Sequence, residues 1–316
     1  MKKIAYLVSA ISAAVFSTAH ADVTVGGSAS AAYTSAGGNT SVLHGGAISF
    51  GLTTTTDSGM TVSAGAGITR DTDAGDATAG ATGLSSITFA TGGMSLALGY
   101  DIGLADGVGE VGELVTVADH NNKSVSKTTG VGDDEGAGVK ISTAVGTGTL
   151  SIVYMYDADA DTLSIGNLDG ATETGTSVSF SSPAAGGTFT AAYVSVDSGS
   201  TKNTETGLAF AYPVTGGTLT VGYTNTAGDT VTNNGTGVGV AYAMDFEGTA
   251  VKLGYQSYDV NSATGTSTDI VVSRPLGGGA SVFAEMRTTS GTVTASSSTD
   301  GTDDVSTMAI GTSVSF

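Results

Sequence analysis

Met308-Ala309-Ile310-Gly311-Thr312-Ser313-Val314-Ser315-Phe316 is the stretch that decides the fold. Apolar side chains stand at Met308, Ile310, Val314 and Phe316, with small or polar ones between them. Period two marks a strand whose two faces meet different surroundings. The same alternation recurs along the chain from Val23 onward, so one architecture must serve many such strands.

At the other end, Met1-Lys2-Lys3 precedes the apolar run Ile4 to Phe16 and then Ser17-Thr18-Ala19-His20-Ala21. A basic start, a short apolar run and an A-x-A end make a secretory signal, too short to cross a bilayer as a helix. The expectation is removal of residues 1–21 after Ala21, on the general secretory pathway, leaving 22–316 as one folded unit.

Eight Lys and Arg then face 29 Asp and Glu, a net charge of −21. So acidic a chain does not bind nucleic acid by bulk electrostatics. It has no Cys, hence neither disulfides nor a thiolate metal site. Gly, Ser, Thr and Ala dominate, yet mean hydropathy is positive. After Ala21 no run of apolar residues is long enough for a membrane helix. An exported membrane protein of this composition must be a closed barrel, because only helices and closed barrels pair every backbone group in lipid.

Alternating segments cover 23–33, 47–56, 61–70, 86–90, 94–101, 138–144, 149–157 and 176–182. They continue over 188–195, 207–212, 218–224, 237–244, 249–258, 269–274, 280–287 and 307–316. That predicts an all-β, antiparallel, up-and-down transmembrane barrel of about sixteen strands. Short connections hold Gly, Pro and Asp, as hairpins require. Long ones are expected at 34–46, 71–85, 102–137, 158–175, 196–206, 225–236, 259–268 and 288–306. One face of each strand carries large apolar residues for lipid, and the other carries Gly, Ser, Thr and Ala for a water-filled lumen. Tyr33, Tyr100, Tyr154, Tyr156, Tyr193, Tyr212, Tyr223, Tyr242, Tyr255 and Tyr258 fall near strand ends, which suits an interfacial girdle.

The order of these pieces resembles the alphaproteobacterial general porins, typified by those of photosynthetic Rhodobacter species. The matching motifs are Asp22-Val23-Thr24-Val25-Gly26-Gly27, Ile48-Ser49-Phe50-Gly51-Leu52 and Thr56-Asp57-Ser58-Gly59-Met60-Thr61. Asp133-Asp134-Glu135-Gly136-Ala137-Gly138-Val139 and the terminal Phe316 complete them. The resemblance covers essentially the whole chain. It implies a Gram-negative outer-membrane homotrimer for passive diffusion of small hydrophilic solutes and ions. It implies a third loop folded into the lumen as a constriction. Phe316 would be read by the outer-membrane assembly machinery, after escort by periplasmic chaperones.

The longest connection, 102–137, falls where this family keeps its constriction loop. Its Glu110, Glu113, Asp119, Asp133, Asp134 and Glu135 are the candidate constriction carboxylates. The facing wall departs from the family's arginine cluster: Arg70, Lys140, Lys252 and Arg287 are its candidate basic residues. A net-negative lumen predicts cation selectivity.

No enzyme is expected, since His44 and His120 stand far apart in loops and form no triad or metal cluster. No cofactor is required. Candidate calcium ligands are Asp71, Asp73 and Asp76, and Asp157, Asp159 and Asp161, the latter with 1-3-5 spacing but without the glycine and glutamate that complete a calcium loop. The alternative is a solvated acidic rim bridged to lipopolysaccharide by divalent ions. Two other functions compete. A substrate-specific channel would show an aromatic track, and loop aromatics are sparse. A secreted adhesin or surface-layer solenoid would show a fixed short repeat, and none is present.

Overall fold

The computed structural model describes residues 22–36, 39–72, 79–112, 114, 135–156, 174–197, 202–229, 234–260, 263–291 and 305–316. The expected signal, 1–21, lies outside them. The first strands are β1 (Asp22–Ala36), β2 (Asn39–Thr55), β3 (Thr61–Thr72), β4 (Ala79–Thr91) and β5 (Met94–Gly103). Next come β6 (Glu135–Val145), β7 (Gly148–Tyr156), β8 (Thr174–Ala184), β9 (Gly187–Asp197), β10 (Lys202–Val214) and β11 (Gly217–Gly228). The last are β12 (Gly235–Phe246), β13 (Thr249–Val260), β14 (Ala263–Gly277), β15 (Ala280–Gly291) and β16 (Val305–Ser315).

Each strand pairs antiparallel with its neighbours in sequence, and β1 also pairs with β16, so the sheet closes into a barrel of 16 strands. Closure leaves no open edge, which lipid would not tolerate. The seam runs to the last residue: Gly27 and Phe316 exchange two backbone hydrogen bonds, each 3.0 Å. The Phe316 ring lies over Gly27, in the space a Cβ there would take.

The period-two reading holds along the walls. On β11, Leu219, Val221 and Tyr223 are exposed outward, while Thr224 and Thr226 are buried on the lumen side. Hairpins at the short-turn rim are tight. Gly92-Gly93, Ala185-Gly186, Glu247-Gly248 and Gly278-Gly279 all have positive φ at both central positions, the type I′ geometry that matches strand twist. Ala185 at φ 48° and Glu247 at φ 51° adopt it without glycine's freedom.

Several expectations are corrected. No thirteen-residue connection exists at 34–46: β1 and β2 pair up to Ala36 and Asn39. Likewise β4 begins at Ala79 rather than 86, and β10 at Lys202 rather than 207. These extensions are rich in Gly, Ser and Thr because they rise above the lipid band. There the outward face meets water rather than lipid, so pairing continues without apolar alternation. Tyr258 does not belong to the outer girdle. It shares lumen-facing parity with Gln256 on β13 and is buried, while Tyr255 faces out.

Candidate functional site

β5 ends at Gly103, and the chain then crosses the inside of the barrel. Its root is apolar. Ile102 and Leu104 pack against Val153 and Met155 of β7 and Val194 of β9, all buried. These wall residues face the lumen, because Ile152, Tyr154 and Tyr193 between them are exposed outward. The lumen face of β7 is therefore not the small polar surface that composition suggested. The signal was in the sequence: Ile152-Val153-Tyr154-Met155 is apolar on both faces, as a strand covered on both sides must be.

Beyond the root, wall side chains accept backbone N–H groups of the loop. Ala105 N donates to Ser177 Oγ on β8 at 3.1 Å, and Gly107 N to Glu205 Oε1 on β10 at 3.1 Å. Gly112 N donates to Gln256 Oε1 on β13 at 3.1 Å, and Leu114 N to Asp269 Oδ2 on β14 at 2.7 Å. Residues 104–112 and 114 thus lie along the wall from β8 to β14. An irregular segment buried this way must find partners for its peptide groups, and the acceptors supply them. Bonds to carboxylates are the stronger kind.

The loop ends its described course on an ion pair. Arg287 of β15 donates Nε to Asp269 Oδ1 at 3.0 Å and Nη2 to Asp269 Oδ2 at 2.9 Å, with both side chains sealed from water. Asp269 therefore accepts from Arg287 and the loop together.

Of the six candidate constriction carboxylates, Glu110 lies in the docked segment, half-buried, with its amide donating to Gly107 O at 3.1 Å. Glu135 opens β6, its side chain outside the described part. Glu113, Asp119, Asp133 and Asp134 lie outside the described residues. Among the basic candidates, Lys140 on β6 and Lys252 on β13 face the lumen and are exposed. Arg287 faces the lumen but is buried against Asp269, so its charge is neutralised locally. Arg70 is in β3, its side chain not described. Of the calcium candidates only Asp71 is placed, by its backbone in β3; Asp73, Asp76, Asp157, Asp159 and Asp161 lie outside. Sequence reading did not single out Ser177, Glu205, Gln256 and Asp269. Glu205 was hidden in an expected connection, and Asp269 stood as a lone acid opening a strand.

A closed antiparallel barrel with a lipid-facing apolar band and an inward loop defines a transmembrane channel protein. A family model described as Gram-negative porin matches residues 8–316, and the chain belongs to that family. Family and fold make it an outer-membrane porin channel rather than an enzyme. No curated protein matches the chain. Its fold is shared with several solved structures. A loop L8 deletion mutant of OmpT from Vibrio cholerae superposes with TM-score 0.72 at 13% identity, covering 94% of this chain and 99% of that one. A Rhodobacter blastica porin mutant gives 0.65 at 17%, covering 93% and 100%. An anion-selective porin from Comamonas acidovorans gives 0.66 at 15%, covering 94% and 100%.

Proposed function

We propose that this porin is a general diffusion channel through which small hydrophilic solutes and ions pass passively. The observation that carries this reading is the use made of the lumen's polar side chains. Ser177, Glu205, Gln256 and Asp269 hold the loop's backbone, and Arg287 holds Asp269. A solute-specific channel turns such groups toward the passage to coordinate its solute. Here they are turned into the loop–wall contact. Liposome swelling tests the reading: uptake should grade smoothly with sugar size, and a sharp preference for one sugar among equals would overturn it.

The channel favours cations. Asp22, Asp57, Asp245 and Glu247 lie at the short-turn rim, and Glu205, Asp269 and Glu285 on the walls. Every other acidic residue of 22–316 lies in or beside a long connection. Such a mouth concentrates cations, and Lys140 and Lys252 temper the effect further in. A reversal potential directed toward cations supports this; an anion-directed one overturns the selectivity and leaves the channel.

Three copies assemble. A related Vibrio cholerae OmpT structure is a trimer form. The described outward tyrosines other than Tyr33 all lie on β7 to β13, among them Tyr154, Tyr193, Tyr223 and Tyr255. Tyrosines mark lipid interfaces, so the opposite arc, β14 through β16 to β6, is the face between copies. Release of 1–21 after Ala21, recognition of Phe316 by the assembly machinery, and divalent ions bridging the acidic rim to lipopolysaccharide belong to the same proposal. Calcium at Asp157, Asp159 and Asp161 is its most specific metal element.

A further inference from the structure

The contact between loop and wall is backbone on backbone, and glycines on both sides permit it. Gly222 of β11 and Gly239 of β12 are cross-strand partners, flanked by Gly207 on β10 and Gly254 on β13. A Cβ on Gly207 would overlap the carbonyl of Val108, one on Gly222 that of Gly109, and one on Gly254 that of Gly112. At Gly239 the clash is milder, 3.0 Å to Gly112 N and 3.1 Å to a methyl of Val111. The loop side answers in kind. A Cβ on Gly109 would overlap the Tyr223 carbonyl, one on Gly112 that of Tyr255, and Gly109 has φ +102°, where a side chain is strained.

These four wall glycines have no local reason to be there. None is given a positive φ, and glycine within a strand weakens it. Alanine would suit the strands better and would still leave a small wall. What alanine could not do is let the loop lie flush.

Resting on the porin reading, we propose that Gly207, Gly222, Gly239 and Gly254 are positioning residues that set the channel's cross-section. They fix how close to the wall the loop backbone sits. A methyl at Gly222 or Gly254 must push the carbonyl it meets toward the channel axis, by on the order of 1 Å if ordinary van der Waals separation is to be restored. The loop occupies the lumen, so each such step narrows the passage.

The test compares Gly222→Ala, Gly254→Ala and Gly239→Ala with wild type, and with Ala243→Val as a control for bulk. Ala243 faces the lumen four residues from Gly239 toward the short-turn rim, away from the loop. Each protein is checked for heat-modifiable migration as a folded barrel, then read for single-channel conductance and for the sugar size at which liposome swelling stops. The expected result is lower conductance and a smaller size limit for Gly222→Ala and Gly254→Ala, a smaller loss for Gly239→Ala, and near wild-type values for Ala243→Val. Folded variants with wild-type conductance and size limit overturn the proposal, as does a conductance that rises. A folded wild type that conducts nothing rejects the porin reading itself, and is distinguishable because the failure precedes any substitution. Should Gly222→Ala not fold, a larger loss in Gly254→Ala than in Gly239→Ala supports the proposal, and equal or reversed losses overturn it.

Discussion

Arg287 and Asp269 face each other across β15 and β14, joined by two hydrogen bonds of 3.0 and 2.9 Å, while Asp269 Oδ2 also accepts the Leu114 amide at 2.7 Å. The guanidinium thus orients the carboxylate that holds the loop. Removing one partner of a sealed pair leaves an uncompensated charge and costs about 3–5 kcal/mol, whereas replacing both by apolar groups costs far less. Arg287→Met should therefore lower the barrel's thermal transition and increase open-channel noise. The double variant Arg287→Met with Asp269→Leu should recover much of the stability but not the quiet current, since Leu114 then loses its acceptor. Equal noise in wild type and double variant would count against the anchoring role.

The apolar root should matter as packing. Met155 is fully buried on the lumen side against Ile102 and Leu104. Met155→Ala should cost about 2–5 kcal/mol. The loss should appear as loop release, read by protease cleavage within 104–114 in the folded barrel. Global unfolding without prior cleavage there would assign Met155 to the barrel rather than to the loop.

Lys140 and Lys252 are exposed to the lumen and sit on well-separated strands, β6 and β13. Lys140→Glu and Lys252→Glu should each move the reversal potential toward cations, and their combined effect should be close to additive. The shifts should shrink in 1 M salt, where the screening length is about 3 Å. Shifts that are independent of salt would mean the substitutions altered the loop rather than the field.

The chain has no cysteine, so single labels report single sites. A nitroxide at Ile310→Cys, on the outward face of β16, should be shielded from lipid-dissolved oxygen in the assembled protein. One at Val221→Cys, on the outward face of β11, should be accessible. Both native side chains are exposed on the single chain, at 53% and 45%. Equal accessibility would place the contact between copies elsewhere.

The barrel was legible because lipid imposes period two on every strand it touches. Where lipid ends, the signal ends, which is why β1 and β2 run past Tyr33 and begin before Ala47 through Gly, Ser and Thr. The constriction was legible only as length and acid content. Its docking was not, because the groups that hold it are peptide amides, which every residue carries. Val153 and Met155 were visible as a second apolar face on β7, and Gly222 and Gly239 as glycines inside strands, but each reads as noise until the loop is laid over it. Tyr258 and Arg287 show the limit from the other side: residue type suggested an interface and a free cation, and both side chains are buried on the lumen side, Arg287 against Asp269.

A tether tests the docked loop most directly. Ala105 N lies 3.1 Å from Ser177 Oγ, so residues 105 and 177 are neighbours across the loop–wall contact. Ala105→Cys with Ser177→Cys, in a chain with no other cysteine, should cross-link readily in the folded barrel and leave single-channel conductance at the wild-type value, because the loop is already seated there. A pair that neither a disulfide nor a short bifunctional thiol cross-linker can join, or a cross-linked channel whose conductance departs clearly from wild type, would contradict the docked loop.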